Sequence, residues 1–337
     1  MPWRTGLGRS ESKLMSVHAF VFPGQGSQSV GMGQGLYEAF PAAREVFQEV
    51  DEALGEHLSK LMFTGEAAEL TRTENAQPAL MAVSLATVRA LESEGGFRLA
   101  DKATVVAGHS LGEYSALAAA GALGIAQTAR LLRLRGKAMQ EAVPAGQGGM
   151  AALLGVEAEL AREICAEAAR LVVEGEPDRH ETIELANDNG GGQIVVSGRL
   201  SAVERAIAIA KARGVKRAVM LPVSAPFHSS LMGPAAERMA EALEKAEIAT
   251  PAIPLIANVT ASKTTNAGQI PDLLVQQVTG AVRWRETVLA MAAMGVTSQI
   301  ELGAGKVLSG LVRRIAPDMT ARNAGTPEEI EALLRDL

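Results

Sequence analysis

Ser110 lies in Gly108-His109-Ser110-Leu111-Gly112, a G-x-S-x-G pattern where the β-branched run 103–108 meets an alanine-rich run. In a strand–turn–helix context this pattern lifts a serine hydroxyl out of a sharp bend at the carboxyl end of the strand. The new helix then presents its free N–H groups and positive dipole end beside the serine, and the N–H of Leu111 is placed to hold a developing oxyanion. A serine hydroxyl is a weak nucleophile at neutral pH, so a base must take its proton.

Five histidines are available. His18 falls in a strand pattern, His57 in a polar helix end and His180 in a charged loop. His109 adjoins the serine and is expected to point away from it. His228, in "VSAPFHSS", occupies a turn after a strand and before a helix, a carboxyl-end position where α/β sites assemble. It is the best base candidate, against a capping or packed loop histidine as the alternative. At an ordinary histidine pKa near ~6.5, activity is expected to fall as acid protonates it. No aspartate stands out as its orienting partner, which argues against a standard hydrolase triad.

A helical projection of "AQTARLLRLRGKAMQEA" places Arg130, Arg133, Lys137, Gln140 and Glu141 on a solvated face. Arg135 falls instead among Leu131, Leu132, Ala138, Met139 and Ala142. A guanidinium on an apolar side requires an anion or hydrogen-bond acceptors. An internal salt bridge would satisfy it, and so would a substrate carboxylate held by two parallel hydrogen bonds.

Alternating elements must position these groups. A strand at "VHAFVF" runs into a glycine-rich turn, helices follow near 38–55 and 76–94, then the strand "ATVVAG" and two helices to about 142. That rhythm predicts an α/β fold with a mainly parallel sheet. After the linker "VPAGQGG" the chain reads strand, helix 157–173, a strand pair over 183–198, helix 201–213 and strand "RAVMLPV", the βαββαβ order of ferredoxin-like units. The insert is expected to span 144–214, with 15–143 and 215–337 forming the large domain. Strands at "PLIAN" and "SQIELG", a helix near 271–279 and one from about 306 complete it. Thr326-Pro327-Glu328-Glu329 predicts a final capped helix. Residues 1–14 are expected to be a disordered extension, with Met15 as the natural start.

A net charge of −6 argues against a general nucleic-acid binder. The single cysteine, Cys165, cannot form an internal disulfide and has no activating neighbour, so it is read as structural. The uncharged window 114–129 falls short of the ~20 apolar residues of a membrane helix. With no apparent signal peptide, the expectation is a cytoplasmic protein with no membrane association, in which the sequon Asn258-Val259-Thr260 carries no meaning.

The segments "FVFPGQGSQ", "GHSLGEYSAL", "VSAPFHSSLM" and "GAGKVLSGL" together resemble the malonyl-CoA:acyl carrier protein transacylase family, in order and spacing from about residue 15 to about 325. The resemblance implies an α/β-hydrolase-like large domain with a ferredoxin-like insert. It implies Ser110 as the nucleophile carrying the malonyl ester, His228 as its base and Arg135 as the partner of the free malonyl carboxylate. Gln25 and Leu111 would supply the oxyanion-hole N–H groups. The backbone carbonyl of Gln277 would orient the histidine, which accounts for the missing aspartate, and Asn189 would lie near the site. The implied reaction is ping-pong transfer from malonyl-CoA to acyl carrier protein, supplying fatty acid synthesis, with no metal or redox cofactor and a monomeric enzyme. Carrier proteins of this class are acidic, so the basic run Arg199, Arg205, Lys211, Arg213, Lys216 and Arg217 is a candidate landing surface, an ordinary solvated helix face being the alternative.

Rival readings fit less well. Within acyl transfer, a hydrolase or a transferase for methylmalonyl or uncharged acyl groups competes. Arg135 disfavours neutral chains, and Phe227 beside the histidine favours the smaller malonyl. A nucleotide-binding module would need glycine at position 29 to complete G-x-G-x-x-G, or Ser/Thr at Val307 for a P-loop, and has neither. A non-catalytic scaffold is disfavoured because nucleophile and base are both present.

Overall fold

The structure, a computed structural model, describes residues 17–171, 179–223 and 225–337. The expected extension 1–14 and start at Met15 lie outside the described residues. A six-stranded sheet runs in the order Lys263–Thr264, Leu255–Ile256, Ala103–Gly108, His18–Phe22, Ser298–Leu302, Thr320–Ala324. All neighbours are parallel except the first pair. The mainly parallel α/β architecture is therefore as expected.

A parallel sheet is covered on both faces, so its central strands are continuous apolar runs without alternation. Phe20, Phe22 and Val106 pack into a core with Leu80 and Leu117 on one face. Ala19, Val21, Val105 and Ala107 pack on the other, against Trp284, Val288, Leu311 and Val312. The helix Trp284–Ala293 and the edge strand Thr320–Ala324 were not read from sequence. In "TARNA" no apolar pattern marks the strand, which sits at the sheet edge and is mostly half-buried. The final helix, Pro327–Leu334, begins as predicted: the Thr326 hydroxyl accepts the Glu329 N–H at 3.3 Å.

A second, antiparallel sheet has the order Ile183–Asp188, Gln193–Arg199, Gly148–Leu154, Arg217–Met220. Helices Ala158–Ala168 and Leu200–Ala212 cover it through a separate core that includes Leu153, Ile164, Val196 and Val203. Its last strand lies beyond residue 214. The helix expected over 157–173 ends at Ala168, and Arg170–Leu171 pairs instead with Arg179–His180. Cys165 is buried in this core, where loss of solvent pushes its thiol up to about 12. At that value it is an inert, packed sulfur, as its sequence context suggested. Among the described residues no helix is long and apolar enough to cross a membrane.

Candidate active site

The strand Ala103–Gly108 hands over to the helix Gly112–Ala119 through a turn that only its two glycines permit. A Cβ on Gly108 would lie 1.9 Å from the carbonyl carbon of Gly112, and one on Gly112 would lie 2.2 Å from the Phe22 oxygen. Both contacts are with backbone and cannot relax by a rotamer change. Ser110 itself has φ 53°, in the left-handed region. An L-residue held there costs roughly 1–3 kcal/mol and persists only where its surroundings fix it.

Asn258 and Gln277 provide that fixation. The Asn258 side chain accepts the Ser110 N–H at 2.8 Å and donates to the Gly108 oxygen at 2.7 Å. The Gln277 amide donates to the Ser110 carbonyl at 2.9 Å. Asn258, the sequon residue, is thus fully buried and spans the elbow. The Gln277 side chain and the Asn258 backbone both meet Glu113 in the first turn of the helix, whose Oε2 accepts from the Gln277 amide at 2.7 Å and from the Asn258 backbone N–H at 3.2 Å.

His228 reaches Ser110 from 118 positions away, with its Nε2 2.7 Å from the serine oxygen. Its Nδ1 lies 2.9 Å from the Gln277 carbonyl oxygen and 3.1 Å from that of Gly280. Two acceptors can be satisfied only by a proton on Nδ1, which leaves the Nε2 lone pair facing the serine. His228 is itself left-handed, with φ 56°, and nearly fully buried.

Burial, followed by the positive charge of Arg135, lowers the His228 pKa to about 3. This departs from the ordinary value assumed from sequence, and the cause is the dry, cationic setting of the ring. The imidazole stays neutral far into acid. The kcat/KM for acylation is accordingly expected to hold as pH is lowered to about 5, measured by stopped-time thiol release. A decline centred on the ordinary histidine pKa would contradict this assignment.

Arg135 is 1% exposed and points at the same serine. Its Nη2 donates to Ser110 Oγ at 3.1 Å and to Gln277 Oε1 at 2.8 Å, while Nη1 donates to Gln77 Oε1 at 2.8 Å. Glutamine carbonyls therefore hold the guanidinium, and the internal salt bridge considered from sequence is not formed among the described residues. Neutral acceptors orient the cation without neutralising it. Arg133, expected on the solvated face, is instead largely buried and bonded to Asn75 and Glu56. The helical projection was right about direction, but neighbouring chain covers that part of the face.

Ser110, His228 and Arg135 line one cavity of about 480 Å³, together with Gln25, Leu111 and Asn189. His109 turns from the serine to Asn189, its Nε2 2.8 Å from the Asn189 oxygen, and so ties the elbow to the smaller sheet. The remaining histidines, His18, His57 and His180, do not line this cavity. Phe227 lines it beside His228. Glu113, Asn258 and Gln77 were missed in the sequence reading. The signal for Glu113 was available: it is the one ionisable group besides a tyrosine in "GEYSALAA", a helix otherwise of small and apolar residues.

A family model for the acyl transferase domain matches residues 19–316. The chain is 46% identical to the malonyl CoA-acyl carrier protein transacylase of Bacillus subtilis, over 96% of this chain and 98% of that one. Among solved structures, the acyl-carrier-protein-S-malonyltransferase of Bartonella henselae is 55% identical with a TM-score of 0.90, covering 95% of this chain and 99% of that one. A malonyl-transacylase in complex with its type II PKS acyl-carrier protein is 40% identical, with a TM-score of 0.89 and coverage of 96% and 100%. With serine, imidazole and guanidinium converging in one cavity on a matching fold, the chain belongs to the malonyl CoA-acyl carrier protein transacylase family of acyltransferases.

Proposed function

We propose that the protein transfers malonyl groups from malonyl-CoA to the phosphopantetheine thiol of acyl carrier protein, supplying fatty acid synthesis, through a malonyl ester on Ser110. The observation that carries this reading is the shared contact of Ser110 Oγ with the His228 Nε2 lone pair and the Arg135 guanidinium. Neutral His228 removes the serine proton as the oxygen attacks the thioester carbonyl. The imidazolium so formed keeps its Nδ1 proton on the Gln277 and Gly280 carbonyls. The backbone N–H groups of Gln25 and Leu111, both at the cavity wall, receive the oxyanion. His228 then returns the proton to the departing thiolate, and a second round with the carrier's thiol reverses the sequence. Serine, imidazole and backbone donors supply every step, so the reaction calls for no metal or redox group.

The malonyl carboxylate is assigned to Arg135. Its arrival also cancels the positive charge that depresses the basicity of His228. Substrate binding thereby prepares the base, an effect that an acetyl group cannot produce. A one-cysteine chain that requires no disulfide suits a cytoplasmic setting.

A ping-pong route makes a direct prediction. Labelled CoA should exchange into malonyl-CoA with no carrier protein present. Exchange that appears only after carrier protein is added would reject the serine intermediate.

For carrier docking, Arg205 is paired with Glu181, Arg213 with Glu163 and Glu167, and Arg199 donates to Gln147. The proposed landing charges therefore narrow to the exposed Lys211, Lys216 and Arg217. Reversing Lys211 and Lys216 to glutamate is expected to raise the carrier KM by roughly three- to tenfold and to reduce its salt dependence, with CoA exchange unaltered. Unchanged carrier kinetics would remove this surface from the reading.

A further inference from the structure

We propose that Glu113 is the positioning residue that balances the charge of Arg135: ionised when the cavity lacks an acyl carboxylate, it takes a proton from solvent when malonyl occupies Arg135, and so tunes the preference for malonyl over acetyl. This rests on the assignment of Arg135 as the carboxylate partner.

The geometry is a three-member relay. Arg135 Nη2 donates to Gln277 Oε1 at 2.8 Å, and the amide nitrogen of the same side chain donates to Glu113 Oε2 at 2.7 Å. One carboxamide thus joins the cation to a carboxyl that is fully buried and lies outside the cavity wall. Glu113 does not touch the bound acyl group; it acts through Gln277 and Asn258. Its Oε1 has no hydrogen-bond partner among the described residues. An unpartnered buried oxygen costs an ionised carboxylate more than a protonated carboxyl.

The charged surroundings are few. Arg135 faces Glu113 from the helix Ile125–Glu141, Tyr114 neighbours it on its own helix, and His228 lies across Gln277. The strand Ala103–Gly108 beneath carries no ionisable side chain, and His18 sits at the far end of the other central strand. Tyr114 and Glu113 are the negative groups that act on Arg135. Burial pushes the Tyr114 phenol far above its ordinary range, so Glu113 is the counter-charge that can form. Burial also pushes the Glu113 carboxyl up to about 7, against the opposing pull of the Gln277 and Asn258 hydrogen bonds and Arg135.

A second carboxylate at Arg135 competes for the same cation and raises the affinity of Glu113 for a proton. Malonyl binding is then linked to proton uptake, and it weakens as pH rises through the range where free Glu113 ionises. Acetyl transfer lacks this linkage.

The test is the ratio of kcat/KM for malonyl-CoA to that for acetyl-CoA between roughly pH 6.5 and 8.5, in which effects on the common thiol and on His228 deprotonation cancel. In the unmodified enzyme the ratio is expected to fall on the order of tenfold across that range. In Glu113→Gln, which keeps an acceptor oxygen for Gln277 and Asn258 and cannot ionise, the ratio should be level. A level ratio in the unmodified enzyme overturns the proposal without any variant, and an equal slope in Glu113→Gln overturns it as well. Absence of any malonyl preference, or its survival in Arg135→Ala, would instead bring down the underlying assignment of Arg135, and the proposal with it.

Discussion

Replacing Ser110 with alanine is expected to lower kcat/KM for malonyl transfer on the order of 10⁴-fold or more, with the fold retained. Only the oxygen is lost. The backbone clamp on the elbow uses the N–H and carbonyl of residue 110, which alanine keeps, so Asn258 and Gln277 still hold the turn. Alanine also meets the same left-handed φ of 53° that serine does, and stability should change by no more than about 1 kcal/mol. Denaturant melts beside steady-state rates separate the two effects. Substantial residual transfer in a folded Ser110→Ala enzyme would mean that a different group carries the acyl chain.

Arg135→Ala is expected to cost malonyl transfer about 3 kcal/mol, on the order of 10²-fold in kcat/KM, while acetyl transfer holds or improves. The opposite responses follow from two roles of one charge. The guanidinium binds the malonyl carboxylate, and without that carboxylate it suppresses the basicity of His228. Removing it abolishes the first effect and relieves the second. The discrimination ratio, measured with both thioesters on the same preparation, is therefore more informative than either rate. Equal loss of both activities would mean that Arg135 serves the elbow and not the substrate.

The parts of this site that were legible in sequence are those encoded locally. Ser110 stands between two glycines at a strand–helix junction, and the reason is backbone contact with Phe22 and Gly112 that no side chain could survive. Arg135 was conspicuous because a helix projection needs only its own residues. Composition and period likewise announced the parallel sheet, since its two central strands, 18–22 and 103–108, are covered on both faces and mostly apolar. The family resemblance supplied Gln277 as the holder of His228, and in the structure it does more: its side chain links Arg135, the Ser110 carbonyl and Glu113.

What was illegible depends on chain that arrives from far away. Asn258 read as an idle sequon because nothing nearby reveals that it bonds Ser110 from 148 positions off. Arg133 was placed on a wet face because a projection cannot know that Glu56 and Asn75 cover it. The lowered His228 pKa has no trace in the sequence, since dehydration and the charge of Arg135 exist only in the folded state. The edge strand Thr320–Ala324 had no pattern to read because its half-buried positions at the sheet edge hold polar residues as well as alanine.

The most direct measurement is the intact mass of the protein after brief mixing with malonyl-CoA in the absence of carrier protein, followed by peptide mapping. The account predicts one malonyl group per chain, located on the peptide containing Ser110 and absent from Ser110→Ala. No covalent adduct in an active preparation, or an adduct on Cys165 or any other residue, would contradict it.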